Sequence, residues 1–229
     1  MKKSRISRQL LLCFMLFFAS ACATTTSFQY EYPQDNKTAV TDFRITLTYP
    51  TDERQANEEV DRMWANDPKE DINKILEKEI LSTGLFKEII ILKEGAEEKF
   101  GLENSLQWLA LHSWIKELVW EIPNRSEQEA KMMAISILTG GLGGLAYGSG
   151  TTDLNGNARL RIVIKDGGTG ENLLDKEYKS QSTETMTRFK TDSREERAKI
   201  IGKAVKQVMT EFKADLEKVV QARQISRAQ

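Results

Sequence analysis

The chain has 229 residues, 40% of them hydrophobic, and its 33 Lys and Arg against 34 Asp and Glu leave a formal net charge of −1. This near-balance gives no basic surface for nucleic acid, and the length suits one domain with or without a tail. With two cysteines and a single histidine, thiol chemistry and zinc sites have very few candidate residues.

The first 22 residues have the layout of a secretory signal. Four basic residues within the first eight positions precede an apolar run over residues 10–18, and small residues lead to Ala21 and Cys22. The run is shorter than the roughly 20 residues that a membrane-spanning helix needs. This arrangement predicts a signal peptide over residues 1–21, cleaved between Ala21 and Cys22.

The sequence Ala19-Ser20-Ala21-Cys22 resembles the lipobox of bacterial lipoprotein precursors, with Ala19 where Leu is most common. The resemblance implies that Cys22 is lipidated. Because Ala rather than Asp follows the cysteine, it also implies anchoring at the periplasmic face of the outer membrane. An ordinary signal peptide with an incidental cysteine is the alternative.

Cleavage removes four positive charges and leaves 208 residues with a net charge of −5. Cys13 leaves with the signal, so a lipidated Cys22 leaves the mature chain no free thiol. Residues 22–40 are rich in Thr, Ser, Gln and Asn, a composition typical of a flexible tether. We therefore expect a single folded domain over residues 41–221, preceded by this tether and followed by a disordered tail at 222–229.

The domain begins with alternating apolar and polar residues at 43–49, which predict a half-buried strand, and a polar loop at 51–66. Asp67 can cap a helix that Pro68 begins, and Gly84 can end it. The run Ile89-Ile90-Ile91-Leu92 is typical of a strand buried on both faces. Residues 94–104 are polar and are read as a connection.

Residues 105–122 contain three tryptophans, with apolar side chains on both parities, and we interpret them as a strand. His112, within this stretch, is read as a structural histidine, and an envelope hydrolase using it is the minor alternative. Asp153-Leu154-Asn155-Gly156-Asn157 departs from the calcium-loop pattern and is read as a turn.

An apolar, glycine-rich insert covers residues 131–152, with no charge between Lys131 and Asp153. Gly140, Gly144 and Gly148 are spaced four apart, which on a helix lets another backbone approach closely. This spacing resembles that of glycine-zipper outer-membrane lipoproteins, and the resemblance implies self-association or membrane contact through these glycines. The alternative is an apolar loop or short helix folded onto the domain, because glycine costs about 1 kcal/mol per helical position relative to Ala.

Toward the C-terminus, alternating residues 158–165 predict a strand, and 166–170 a glycine-rich turn into a second strand at 173–180. Ser193 and Glu196 form a capping box for a long helix. Its apolar stripe consists of Ala198, Ile201, Val205, Val208, Phe212, Leu216 and Val219.

The order β-α-β-β-β-β-α predicts an α+β fold: a two-layer sandwich with an antiparallel or mixed sheet of about five strands and two helices on one face. No catalytic, cofactor or metal constellation stands out in the sequence. We therefore expect a non-catalytic adaptor or accessory subunit of an envelope complex, anchored to the membrane by lipid, that binds an envelope protein the sequence does not name. A self-associating structural lipoprotein is the alternative.

Overall fold

A computed structural model describes residues 29–34, 37–55, 67–93, 108–139 and 149–228. In chain order its elements are β1 (Arg44–Leu47), β2 (Thr51–Asp52), α1 (Pro68–Thr83), β3 (Glu88–Ile91), β4 (Trp108–Glu121), α2 (Arg125–Leu138), β5 (Thr151–Asp166), β6 (Asn172–Thr187), α3 (Arg188–Thr191) and α4 (Arg194–Ala228). Within these ranges, no helix is both long enough and apolar enough to span a bilayer.

The strands form one mixed sheet in the order β3-β1-β4-β5-β6, with the short β2 also paired to β4. The β1 strand runs parallel to both β3 and β4, whereas β4, β5 and β6 are antiparallel in turn. Helices α1 and α4 pack on one face of the sheet and enclose a single hydrophobic core. The predicted two-layer α+β sandwich with two helices on one face is confirmed.

Local signals positioned several elements correctly. The Asp67 side chain caps α1 by accepting a hydrogen bond from the Lys69 amide at 2.9 Å, and Gly84 ends the helix with φ 66°. Asp166 organises the β5–β6 turn, accepting hydrogen bonds from the amides of Gly168 and Thr169 at 2.9 and 2.8 Å. Such signals work because the hydrogen bonds that they describe lie within a few residues.

The mixed parity of the third predicted strand has a physical cause. The register between β4 and β5 shifts between Ile115 and Glu117, which leaves Lys116 as an extra residue. A β-bulge of this kind reverses which parity faces the core. Trp114 therefore lies on the face away from the helices, whereas Trp120 points into the core.

Two strand predictions were wrong in detail. The β3 strand is at the sheet edge, where only β1 pairs with it among the described residues, and Ile91 is 40% exposed instead of buried on both faces. Residues 153–157 do not form a turn but continue β5. They remain in the strand because residues 155–157 pair with β4 on one side and residues 153–157 with β6 on the other, and Gly156 leaves room for α4 to pass directly over the sheet.

The chain on either side of the domain is more ordered than expected. Residues 29–34, part of the expected tether, lie against the helices, and Tyr30 is buried among core side chains. The expected tail at 222–229 continues α4 to Ala228, and Arg223 forms an ion pair with Asp166 in the β5–β6 turn. Both segments are held by partners distant in sequence.

Helix α2, which is absent from the predicted order, begins at Arg125 before the insert and includes the first residues of the insert, 131–138. None of its residues is buried, so this part of the insert is not folded onto the domain as the alternative supposed. The β5 strand then begins at Thr151.

Candidate functional site

The site residues predicted from sequence all lie outside the described residues. These are the cleavage and lipidation positions Ala21 and Cys22, together with Gly140, Gly144 and Gly148. Their roles therefore stay predictions. Within the described part of the chain, two other features stand out. An N-terminal strap connects the start of the chain to the domain, and the open face of the sheet presents a surface.

The strap consists of residues 29–34 and crosses the outer side of α4. At the crossing, a Cβ on Gly202 would collide with the backbone carbonyl oxygen of Gln29, so only glycine allows this approach. The next residue, Tyr30, inserts its ring into the core and is 8% exposed. Tyr32 lies beyond it, with its ring at 5.2 Å from that of Tyr30.

Tyr30 reaches a buried carboxylate on α1. Its hydroxyl donates a hydrogen bond to Glu79, which has no exposed surface. Lys206 and Lys213 of α4 form ion pairs with the two carboxylate oxygens of Glu79, at 2.6 and 2.5 Å. Lys206 also donates to the Glu31 carbonyl at 3.0 Å, so this cluster joins the strap to both helices.

The electrostatics of the cluster follow from these contacts. Burial by itself would raise the pKa of Glu79, but hydrogen bonds and charges from Lys206, Lys213 and Tyr30 outweigh it and hold that pKa below its ordinary value. Burial, followed by the hydrogen bond to Glu79, raises the pKa of the Tyr30 hydroxyl. Glu79 is therefore ionised and Tyr30 protonated at neutral pH.

Gly202→Ala is expected to release the strap while leaving α4 helical. Alanine favours the helix by about 1 kcal/mol, but the added methyl group displaces the Gln29 backbone and so withdraws Tyr30. Chymotrypsin should then cleave after Tyr30 faster than in the unmodified chain. Lys203→Ala, one residue away on α4, is the control, and equal cleavage rates in the two variants would contradict a closed strap.

The open face of the sheet is the side away from α1 and α4. Along β4 it carries Trp108, Ala110, His112 and Trp114, all half-buried. Val163 of β5 lies opposite His112 and is only 3% exposed, although it is on the face away from the described helices α1 and α4. The solvated face of a sheet usually carries polar residues, so large aromatic rings on this face are unusual.

Arginines stack on the two tryptophans of this face. Arg44 lies 5.3 Å from the Trp108 ring, and Arg161 lies 5.2 Å from the Trp114 ring. Asp175 of β6 accepts two hydrogen bonds from Arg161, at 2.9 and 2.7 Å, which fix the guanidinium above its ring. Trp and Arg are the residues that most often carry binding energy at protein interfaces.

His112 belongs to this face. Its Nδ1 lies 3.2 Å from the Thr48 hydroxyl, and its ring stacks on Trp114 at 6.3 Å. Among the described residues, no group of three or more His, Cys, Asp or Glu side chains could hold a metal ion. His112 thus has a hydrogen-bonding contact with Thr48 and a stacking contact with Trp114 on this face, and its structural role stays a prediction.

Sequence reasoning missed both features. A signal for the strap was present in Gly202, an interruption in an otherwise regular helical pattern, which often marks a close approach of another backbone. The open face was hidden because the bulge at Lys116 mixes the two parities of β4. Neither signal identifies the contacting segment, because Gln29 and Gly202 are distant in sequence.

No family model matches the chain, and no curated protein matches it. Its fold is shared with solved structures. A neuraminyllactose-binding hemagglutinin homolog from Helicobacter pylori aligns with a TM-score of 0.51 and 13% identity over 89% of this chain and 100% of that one. A Xanthomonas campestris protein described as DUF330 aligns with a TM-score of 0.50 and 10% identity over 89% and 99%. At such identities the likeness establishes the fold alone.

Proposed function

We propose that this protein is a lipid-anchored, non-catalytic adaptor of the bacterial envelope. In this proposal, Cys22 carries the lipid at the periplasmic face of the outer membrane, and the open face binds another envelope protein. The observation that carries the proposal is the pair of tryptophans on the open face, each with an arginine stacked on it. The signal-like N-terminus supports the location.

The geometry of the open face suits protein binding. Ion pairs already hold the arginine side chains, Arg161 with Asp175 and Arg159 with Glu117 and Glu177. Binding a partner therefore loses less side-chain entropy than it would with free arginines. The aromatic rings supply apolar area at the centre, and the surrounding charges form a polar rim.

Site-specific photocrosslinking in cells tests the proposal. We expect a crosslinker in place of Ala110 to capture one defined envelope protein, and Arg161→Glu to reduce that product at least tenfold. The same crosslinker at Lys203, on the helix side, is the matched control and should not give the product. Capture from both positions alike, or no effect of Arg161→Glu, would refute the open face as the binding surface.

Self-association is the second candidate function, and one observation favours it. The apolar C-terminal part of α2 is exposed, and it leads directly into the segment containing Gly140, Gly144 and Gly148. Light scattering on the detergent-extracted protein distinguishes the candidates. An oligomer that becomes a monomer in Gly144→Leu supports self-association, whereas a monomer in both forms rules it out.

A further inference from the structure

The polarity of α2 changes along its length instead of around its axis. In the first half, Arg125 pairs with Glu129 at 2.8 Å and Lys131 with Glu127 at 2.6 Å, so the charges balance. Gln128 ties this half to the domain through a 3.1 Å hydrogen bond to the Thr152 hydroxyl. The second half, residues 132–138, contains no charge.

This apolar half of α2 (residues 132–138) is exposed on the domain. Its large side chains have the following exposed fractions: Met132 39%, Met133 63%, Ile135 39%, Ile137 77% and Leu138 84%. A cluster of this kind on a folded domain marks a contact with a partner or a membrane, since burying it would gain about 25 cal/mol per Å². Residues 132–138 therefore need either a partner or a membrane to cover them.

The position of the anchor relative to α2 decides between them. Helix α2 begins at one end of the sheet. At this same end lie the end of β4, the start of β5, the end of β6 and the start of α4. Gly202, where the strap crosses, is eight residues into α4 and thus about 12 Å from this end of the sheet. Arg223, at the opposite end of the sheet, is about 32 Å from Gly202 by the same measure.

The chain between Cys22 and Gln29 limits how far the anchor can be from the strap. Seven residue steps span at most about 25 Å. Even if α2 continued straight away from the domain, its charged half would add only about 10 Å, so Met132 stays within that reach. Arg223 lies beyond that reach. A lipid on Cys22 therefore brings the end of the domain that carries α2 toward the bilayer.

We propose that the apolar half of α2 inserts into the lipid leaflet that holds the Cys22 anchor. The inference rests on the proposed lipid anchoring. Seven residues of helix measure about 10 Å, which matches the 5–10 Å depth of interfacial helices and is far too short to cross the bilayer. Lys131 stands at the boundary, where its long side chain keeps the ammonium group in water.

The balanced charges in the first half of α2 indicate which type of lipid it would meet. Two acidic and two basic residues leave α2 without net charge, so insertion needs no anionic headgroup. Binding should depend on apolar contact and not on salt. A zwitterionic bilayer is therefore the appropriate probe.

The test uses the full-length lipoprotein reconstituted into phosphatidylcholine vesicles. Because Cys13 is removed with the signal and the Cys22 sulfur carries lipid in this proposal, Ile137→Cys provides one reactive thiol for an environment-sensitive fluorophore, and Glu127→Cys on the charged half is the matched control. We expect blue-shifted emission at position 137, quenched by spin-labelled lipid and unchanged by salt. The probe at 127 should be neither shifted nor quenched.

Other outcomes overturn the inference and separate it from the proposed function. If the protein floats with the vesicles while the probe at 137 stays in water, the anchor stands and the insertion fails. If the shift at 137 rises with the protein-to-lipid ratio without quenching, a second copy covers α2. If Cys22 reacts as a free thiol and the protein does not float, both proposals fail.

Discussion

Replacing Lys206 and Lys213 together with Met is expected to destabilise the domain by about 3–5 kcal/mol at pH 7. The double variant keeps the aliphatic stems but leaves Glu79, which has no exposed surface, without a counter-charge. Urea unfolding followed by circular dichroism, on the chain lacking residues 1–22, measures the change. Lys203→Met removes only an ion pair with Glu184, and this control should lose at most about 1 kcal/mol.

The same experiment at lower pH gives a second, independent signature. In the unmodified chain the pKa of Glu79 is depressed, so its stabilising contribution is present above the unfolded pKa of about 4.3 and is lost as the pH falls through the folded value. In the double variant burial dominates and raises that pKa, so the penalty is greatest at pH 7 and shrinks toward pH 4. An equal loss at both pH values would contradict a buried, ionised Glu79.

Gly156→Ala is expected to cost about 3 kcal/mol or more in the free energy of unfolding, at the upper end of the range for overpacked cores. A Cβ at this position of β5 would lie 2.5–2.7 Å from three backbone atoms of Ile200 and Ile201 in α4. Backbone atoms cannot rotate away as a side chain does. The helix also contacts β5 and β6 along its length, so it cannot shift at one point alone.

Asn157→Ala is the matched control for Gly156→Ala. Asn157 is the next residue of β5 and faces away from α4, where its amide lies 3.4 Å from Glu121. Its replacement should change the unfolding free energy by less than about 0.5 kcal/mol. A similar small loss in Gly156→Ala would show that α4 and the sheet are not in backbone contact there.

The contrast between predictable and unpredictable elements follows the range of the interactions. Asp67, Gly84 and Ser193 mark helix ends through contacts within four residues, and these three helix ends were predicted close to their observed positions. The edge position of β3 depends on which strands pair, which no local pattern encodes. Its β-branched residues fit a pleated strand whether or not both faces are covered.

The candidate sites illustrate the same limit. The hydrogen bond between Tyr30 and Glu79 joins residues 49 positions apart, so a tyrosine in a polar segment gave no sign of being a core residue. The orientation of Trp114 depends on the extra residue at Lys116, which only the pairing with β5 reveals. The glycines after residue 139 are poor helix formers and argued against a helix in the insert, so the helical start of the insert within α2 was not predicted.

The strap across Gly202 also determines how the proposed anchored domain would search for a partner. With Gln29 fixed against α4, the seven residue steps back to Cys22 keep Gln29 within about 25 Å of the proposed lipid anchor. A partner in the same membrane then meets the domain by lateral diffusion in two dimensions. Restricting both proteins to one membrane surface raises the frequency of their encounters, so the open face would need less affinity than it would for a partner free in solution.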